Sequence, residues 1–104
     1  MSIIDVRKDD FASIEVTSLS LAGDEAIALK EKTINLLESG VKKIALDLSK
    51  PEYIDSSGIG KLLFMNKRIE KIHGEFTISK INATLYEFLE SLALTKVIKV
   101  AEPL

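Results

Sequence analysis

Apolar and polar residues alternate along the chain in two different periods. Ile3 to Val6 is a short apolar-rich start that reads as an edge strand, and Asp9-Asp10 follows as a turn. From Phe11 to Leu21 the alternation is of period two, carried by Ile14, Val16, Leu19 and Leu21, with a slip at Thr17-Ser18 that suggests a bulge. The two segments predict an antiparallel hairpin. Gly23-Asp24 ends it and opens a helix, with Asp24 as the expected N-cap and Glu25 suited to the first turn. Ala26, Ile27, Leu29, Ile34, Leu36 and Leu37 cover about half of that helix's circumference. Lys30 falls within this half and must snorkel, and Gly40 is the expected stop.

Ile44 to Leu48 is an apolar run of the kind expected for a strand covered on both faces. Asp47 interrupts it near its end and reads as a surface-leaning carboxylate. Ser49-Lys50-Pro51-Glu52 is a loop, with Pro51 forcing Lys50 to be extended. The stretch Ile54-Asp55-Ser56-Ser57-Gly58-Ile59-Gly60 then turns into a long helix predicted over Ser57 to His73. Ile59, Leu62, Leu63, Met65, Ile69 and Ile72 share one side of it. Phe64 falls on the other, among Lys61, Lys67, Arg68 and Lys71. Gly74 is the expected stop. Glu75 to Ser79 reads as a strand, Asn82 as the cap of a short helix bearing Leu85, Phe88, Leu89 and Leu92, and Val97 to Val100 as a last strand.

The predicted order is β-β-α-β-α-β-α-β in one α/β domain spanning residues 1–104. Strands alternating with helices imply parallel pairing through right-handed crossovers, hence a mixed sheet with helices packed on it. Whether the second sheet face is covered by the N-terminal hairpin or left to solvent stays open at this level.

Composition narrows the chemistry. The chain has 46% hydrophobic residues, enough for a real core. It has no cysteine, so neither disulfides nor thiol chemistry are available, and its lone histidine, His73, precludes a histidine-rich metal site. A net charge of -2 supplies no basic field for nucleic acid, and scarce aromatics argue against a base-stacking platform. No signal peptide or membrane-length apolar run is seen, so a cytoplasmic domain without membrane insertion is expected. Hydrolase chemistry is disfavoured as well. The Gly-x-Ser-x-Gly turn is absent, and His73 lies roughly 25 Å from Ser56 if the helix rises 1.5 Å per residue. Gly58-Ile59-Gly60 is too short for a nucleotide fingerprint and more simply lets another surface approach the helix.

Two features remain with functional content. Ser56 and Ser57 sit where a helix begins, among amides without intrahelical partners. A serine there either caps the helix or is a place where phosphate is added and removed. Asp24 and Asp55 both precede or open helices after strands. They are two ordinary N-caps, or acids that flank Ser56 and hold a divalent ion.

Leu46-Asp47-Leu48-Ser49 followed by Tyr53-Ile54-Asp55-Ser56-Ser57-Gly58-Ile59-Gly60 resembles the signature of STAS domains, in particular of bacterial anti-sigma factor antagonists. The resemblance in order and spacing runs from the N-terminal hairpin to the final strand. It implies that Ser56 is phosphorylated by a partner, an anti-sigma factor with serine kinase activity that uses ATP, and that a phosphatase restores it. It also implies that Asp24 and Asp55 lie near the phosphorylation site. Unphosphorylated, such a protein captures the anti-sigma factor and releases a sigma factor, with no catalysis and no cofactor of its own. Two departures are visible. A glycine common in the family is replaced near Leu21, in a loop that looks shorter, and the chain ends at Leu104 with little room for the usual C-terminal helix. Ser56, Ser57, Gly58, Gly60 and Phe64 are the expected docking surface, Phe64 serving either as an anchor or as packing beneath a neighbouring element. A rival within the family is a subunit that docks constitutively on an ATPase of a membrane transport complex. Direct nucleotide binding is poorly supported.

Overall fold

The N-terminal alternation resolves into a hairpin and a separate short strand. In the computed structural model, which describes residues 2–104, the elements are β1 (Ile3–Lys8), β2 (Phe11–Val16), β3 (Ser20–Leu21), α1 (Gly23–Glu38), β4 (Lys43–Leu48), β5 (Tyr53–Ile54), α2 (Ser56–Lys71), β6 (Glu75–Ile81), α3 (Ala83–Ser91), a 3-10 turn (Leu94–Lys96) and β7 (Lys99–Val100). The main sheet has the order β1-β2-β4-β6-β7, with β1 antiparallel to β2 and every other neighbour parallel. The mixed α/β sheet with packed helices is as the pattern predicted.

Residues 11–21 are not one bulged strand. Val16 and Leu21 are both fully buried, yet five positions separate them, so a continuous strand would turn one of them outward. The chain breaks instead. Ser18 donates its hydroxyl to the Ser20 carbonyl at 2.6 Å, and Ser20-Leu21 pairs in parallel with Tyr53-Ile54 in a second, two-stranded ribbon. That ribbon adds two strands to the expected order. They are too short to leave a periodic signal.

Ala12, Ile14 and Val16 of β2, Ile44, Leu46 and Leu48 of β4, and Phe76 and Ile78 of β6 are buried on one face of the sheet. They form one core with Ala26, Leu29 and Leu36 of α1, Leu62, Met65 and Ile69 of α2, and Leu85 and Leu89 of α3. The other face carries Ser13, Glu15, Ala45 and Asp47 and the exposed Ile4 and Val6, so it faces solvent. β6 runs to Ile81 rather than stopping at Ser79. A bulge between Leu46 and Asp47 absorbs the extra Ser79, which keeps Ile78 and Ile81, three apart, both pointing inward.

The helices bury narrower rows than their apolar stripes suggested. Ile27, Leu63, Ile72, Phe88 and Leu92 are all exposed, because a helix lying on a sheet covers only the arc beneath it. α1 ends as expected, with Gly40 at φ +104 and the Val41 amide donating to the Leu36 carbonyl at 3.0 Å. α2 ends differently. The left-handed residue is His73, at φ +58, and Gly74 follows it, donating to the Ile69 carbonyl at 2.9 Å. Glycine is needed at 74 for space: a Cβ there would lie 2.1 Å from the Lys42 carbonyl oxygen. β7 is shorter than the expected Val97 to Val100, since the Val97 and Ile98 amides close the 3-10 turn by donating to the Leu94 carbonyl at 3.0 and 2.9 Å.

Candidate functional site

The β4–β5 loop and the start of α2 are held by a small set of polar contacts. Asp47 is half-buried, and its Oδ1 accepts from the Ser49 amide at 2.9 Å and the Ser49 hydroxyl at 2.6 Å, which tightens the turn after β4. Asn82 caps α3 by accepting from the Leu85 amide at 2.9 Å. Its NH2 group reaches back across the chain to donate to the carbonyls of Ser49, at 3.2 Å, and Pro51, at 2.6 Å. The far side of the loop is tied by the Glu52 amide, donating to the Leu19 carbonyl at 2.8 Å. The segment delivering the chain to residue 55 is therefore pinned from two directions.

Asp55 is the N-cap of α2. Its Oδ1 accepts from the Gly58 amide at 2.8 Å, the arrangement that satisfies an otherwise orphaned helix donor. That bond, chiefly, holds its carboxyl below the usual carboxylate range. Slight burial opposes it, while the Ser57 hydroxyl and amide and the Gly23 amide add to it. Asp55 is thus an anion at neutral pH. Because the carboxylate does the capping, neither serine is needed as a cap. Ser57 is half-buried and turned to Asp55, whereas Ser56, the first residue of the helix, is exposed.

The contribution of Gly23 brings the starts of α1 and α2 together. Asp24 does not cap α1. The N-cap is Ala22, which makes no side-chain cap, and Gly23 stands at φ +51 in the first turn with Asp24 after it, exposed. The cap falls two residues earlier than the Gly-Asp pair suggested, since glycine takes the left-handed conformation cheaply. Asp24 is therefore a free acid on the same edge as Ser56. Among the described residues no group of three or more acids and histidines could hold a metal ion.

The two glycines of the motif differ in role. A Cβ on Gly58 would lie 2.2 Å from the Leu21 carbonyl oxygen and 2.6 Å from Ile54 Cγ1, so the surface that approaches the helix there is the protein's own β3. Gly60 is exposed, with nothing within 4 Å of a Cβ. Phe64 is half-buried between α1 and α2. Lys30 Nζ lies 4.6 Å from its ring centroid and Arg68 Cζ 5.4 Å, so the snorkelling expected of Lys30 ends on this ring.

The family model for the STAS domain matches residues 9–104. The chain belongs to that family. Solved structures agree in fold. A Thermotoga maritima protein assigned as an anti-sigma factor antagonist superposes with a TM-score of 0.84 at 24% identity, covering 96% of this chain and 86% of that one. The anti-sigma factor antagonist SpoIIAA in its unphosphorylated form gives 0.81 at 16% identity, covering 96% and 88%. The phosphorylated form, from Bacillus, gives 0.73 at 16%, covering 96% and 91%. No helix among the described residues is long and apolar enough to cross a membrane.

In this STAS domain the structure gathers Asp55, Ser56, Ser57 and Gly58 in one helical turn and sets Gly23-Asp24 beside it. Phe64 lies two turns further along, partly covered by cations. Two supports of the site were not visible beforehand. Asp47 and Ser49 carry the Asp-x-Ser spacing of a side-chain turn, a signal that could have been read. The clamp by Asn82 spans more than thirty residues and had no local sign beyond its capping role.

Proposed function

We propose that the protein is an anti-sigma factor antagonist whose binding to an anti-sigma factor serine kinase is controlled by phosphorylation of Ser56. The observation that carries this reading is the division of labour at the start of α2: Asp55 caps the helix, and the neighbouring hydroxyl of Ser56 stays exposed. An exposed hydroxyl on a rigidly held turn suits a kinase, which needs the acceptor positioned in line with ATP. The exposed Gly60 beyond it leaves room for a partner's backbone. Half-buried Phe64 contributes its uncovered edge, with Lys30 and Arg68 as the contacts above it.

Phosphate brings about -1.5 to -2 charges. The helix N-terminus tolerates them, while the ionised Asp55 next door does not neutralise them. The domain keeps its fold and its docking face turns strongly anionic. Against a partner carboxylate about 5 Å away, each added charge costs roughly 3 kcal/mol at an effective dielectric of 20, enough to lower affinity by about two orders of magnitude. A phosphatase then returns the neutral hydroxyl. The chain needs no cofactor in this scheme, since ATP belongs to the kinase.

Incubation with an anti-sigma factor serine kinase and ATP, followed by intact-mass and peptide measurement, tests the reading. One phosphate on Ser56 is expected, with none on a Ser56→Ala variant that still binds the kinase. Full phosphorylation of Ser56→Ala moves the site to Ser57. A wild-type chain that neither binds such a kinase nor gains mass removes the reading and favours constitutive docking on another partner.

A further inference from the structure

The helices all pack on one face of the main sheet, and the other face carries its charges in an ordered pattern. Strand register sets that open face in three rows across β1, β2, β4 and β6. The first row is Lys8, Phe11, Lys43 and Glu75. The middle row is Val6, Ser13, Ala45 and Thr77, continued by Lys99 of β7. The third is Ile4, Glu15, Asp47 and Lys80, the bulge at Ser79 having brought Lys80 opposite Asp47. Ile4, Val6 and Phe11 form an exposed apolar corner. The remaining middle-row side chains on β2, β4 and β6 are short, and a cavity of about 200 Å³ opens beside them. In β4 and β6 the outer rows oppose each other in sign, Lys43 against Asp47 and Glu75 against Lys80. Among the described residues the one ion pair, Lys32 to Asp5 at 3.0 Å, involves none of them.

We infer that this open sheet face is a self-docking surface for a second copy of the chain. A two-fold axis running across the strands, along the middle row, lays each strand on its own counterpart in reverse and sets the first row on the third. Lys43 then meets Asp47 of the second copy, Glu75 meets its Lys80, and the symmetry repeats both pairs. Lys8 arrives over Ile4 and beside Glu15 of the second copy, Phe11 over the stem of that Glu15, and Val6 over its own counterpart. The short middle row lets the longer side chains on either side lean inward. At the rim the two Lys99 side chains converge, each diagonal to Glu75 of both copies. Facing sheets lie about 10 Å apart and align within about 30°. About Ala45, that rotation shifts β2 and β6 by about 2–3 Å and β1 by about 5 Å, less than the roughly 7 Å between rows. An axis along β4 would set Lys43 on Lys43 and Asp47 on Asp47, and is disfavoured.

The face is about 20 Å across and 15 Å along the strands, too small for the roughly 800 Å² per partner of a standard stable complex, so association is weak and reversible. Ser56 opens a helix on the covered side of the sheet. Self-docking therefore leaves that hydroxyl accessible, and the inference stands independently of the kinase reading.

Sedimentation equilibrium of the full chain, up to about 1 mM protein, tests it. The expected result is a monomer–dimer equilibrium in the high-micromolar range that weakens about tenfold from roughly 50 mM to 500 mM salt. Glu75 and Lys80 are both exposed, so their variants should keep the fold, as circular dichroism will read. Glu75→Lys and Lys80→Glu should each be monomeric alone, since each sets like charges together, and should associate when mixed, since the mixture restores acid against base at both contacts. The double variant Glu75→Lys/Lys80→Glu should dimerise as the wild type does. The chain has no cysteine, so a thiol placed on the axis by Ala45→Cys should be joined to its counterpart by a short bismaleimide, and one placed on α2 by Lys67→Cys should not. A wild-type chain that stays monomeric at low salt overturns the inference. So do single variants that dimerise alone or fail to associate when mixed, a double variant that stays monomeric, and crosslinking no faster from position 45 than from position 67.

Discussion

Gly58 and Gly60, two positions apart in α2, should respond to alanine with opposite signs. Alanine is favoured over glycine in a helix by about 1 kcal/mol, partly through the unfolded chain. At Gly60 nothing stands within 4 Å of the added methyl, so Gly60→Ala should stabilise by about 0.5–1 kcal/mol and raise Tm by about 3–6 °C. At Gly58 the methyl would lie 2.2 Å from the Leu21 carbonyl oxygen, where ordinary contact begins near 3.4 Å. That oxygen belongs to a strand paired with β5, and the Leu21 side chain is fully buried, so it cannot retreat. The first turn of α2 must back away instead, lengthening the 2.8 Å bond from the Gly58 amide to Asp55. Overpacking of this kind costs about 1–3 kcal/mol, and the overlap with backbone puts it at the upper end. After the propensity gain, a net loss of about 2 kcal/mol is expected, lowering Tm by about 10 °C. Urea unfolding followed by far-ultraviolet circular dichroism reads both variants, with unchanged m values if the end states are preserved. Equal stability of the two variants would refute the reasoning, because it would mean that α2 does not lie against β3 as described.

Three further outcomes follow from the site. Asn82→Ala removes a helix cap and the two donors that pin the β4–β5 loop, and should cost about 2 kcal/mol in urea unfolding, while Asn82→Ser, which keeps only the cap, should cost about half as much. The carboxyl of Asp55 is held below its ordinary 3.8 in the fold, so its ionisation stabilises the native state above that pH, and the benefit is lost as pH falls through the lower folded value. The stability difference between wild type and Asp55→Asn should therefore be constant near neutrality and shrink on acidification below about pH 4; a difference that grew instead would contradict the assignment. His73 occupies φ +58 as a non-glycine residue, so His73→Gly should be slightly stabilising, by roughly 0.5 kcal/mol after the entropy of the unfolded chain is counted, and a measurable loss would show that the imidazole makes a contact of its own.

The candidate site was legible to the extent that it is local. Asp55, Ser56 and Gly58 are near neighbours at a strand-to-helix turn, and capping depends on atoms within one turn of each other. The same logic misplaced the start of α1, where Gly23 in a left-handed conformation moved the cap back to Ala22 and left Asp24 free. Phe64 was ambiguous because a helical wheel shows a direction but not what lies there. Once α1 is set beside α2, Lys30 arrives over the ring. The length of β6 was hidden by Ser79, whose bulge reverses the parity of every residue after it.

Periodicity alone carried the α/β class, the alternation of strands and helices, and most of the buried rows, because a 3.6-residue or two-residue repeat is written into neighbouring positions. The open second face of the sheet, the β3–β5 ribbon, the clamp from Asn82 and the unequal roles of Gly58 and Gly60 emerged only with the packed molecule. Each depends on atoms that meet across tens of residues, and contacts between distant segments leave no repeat along the chain.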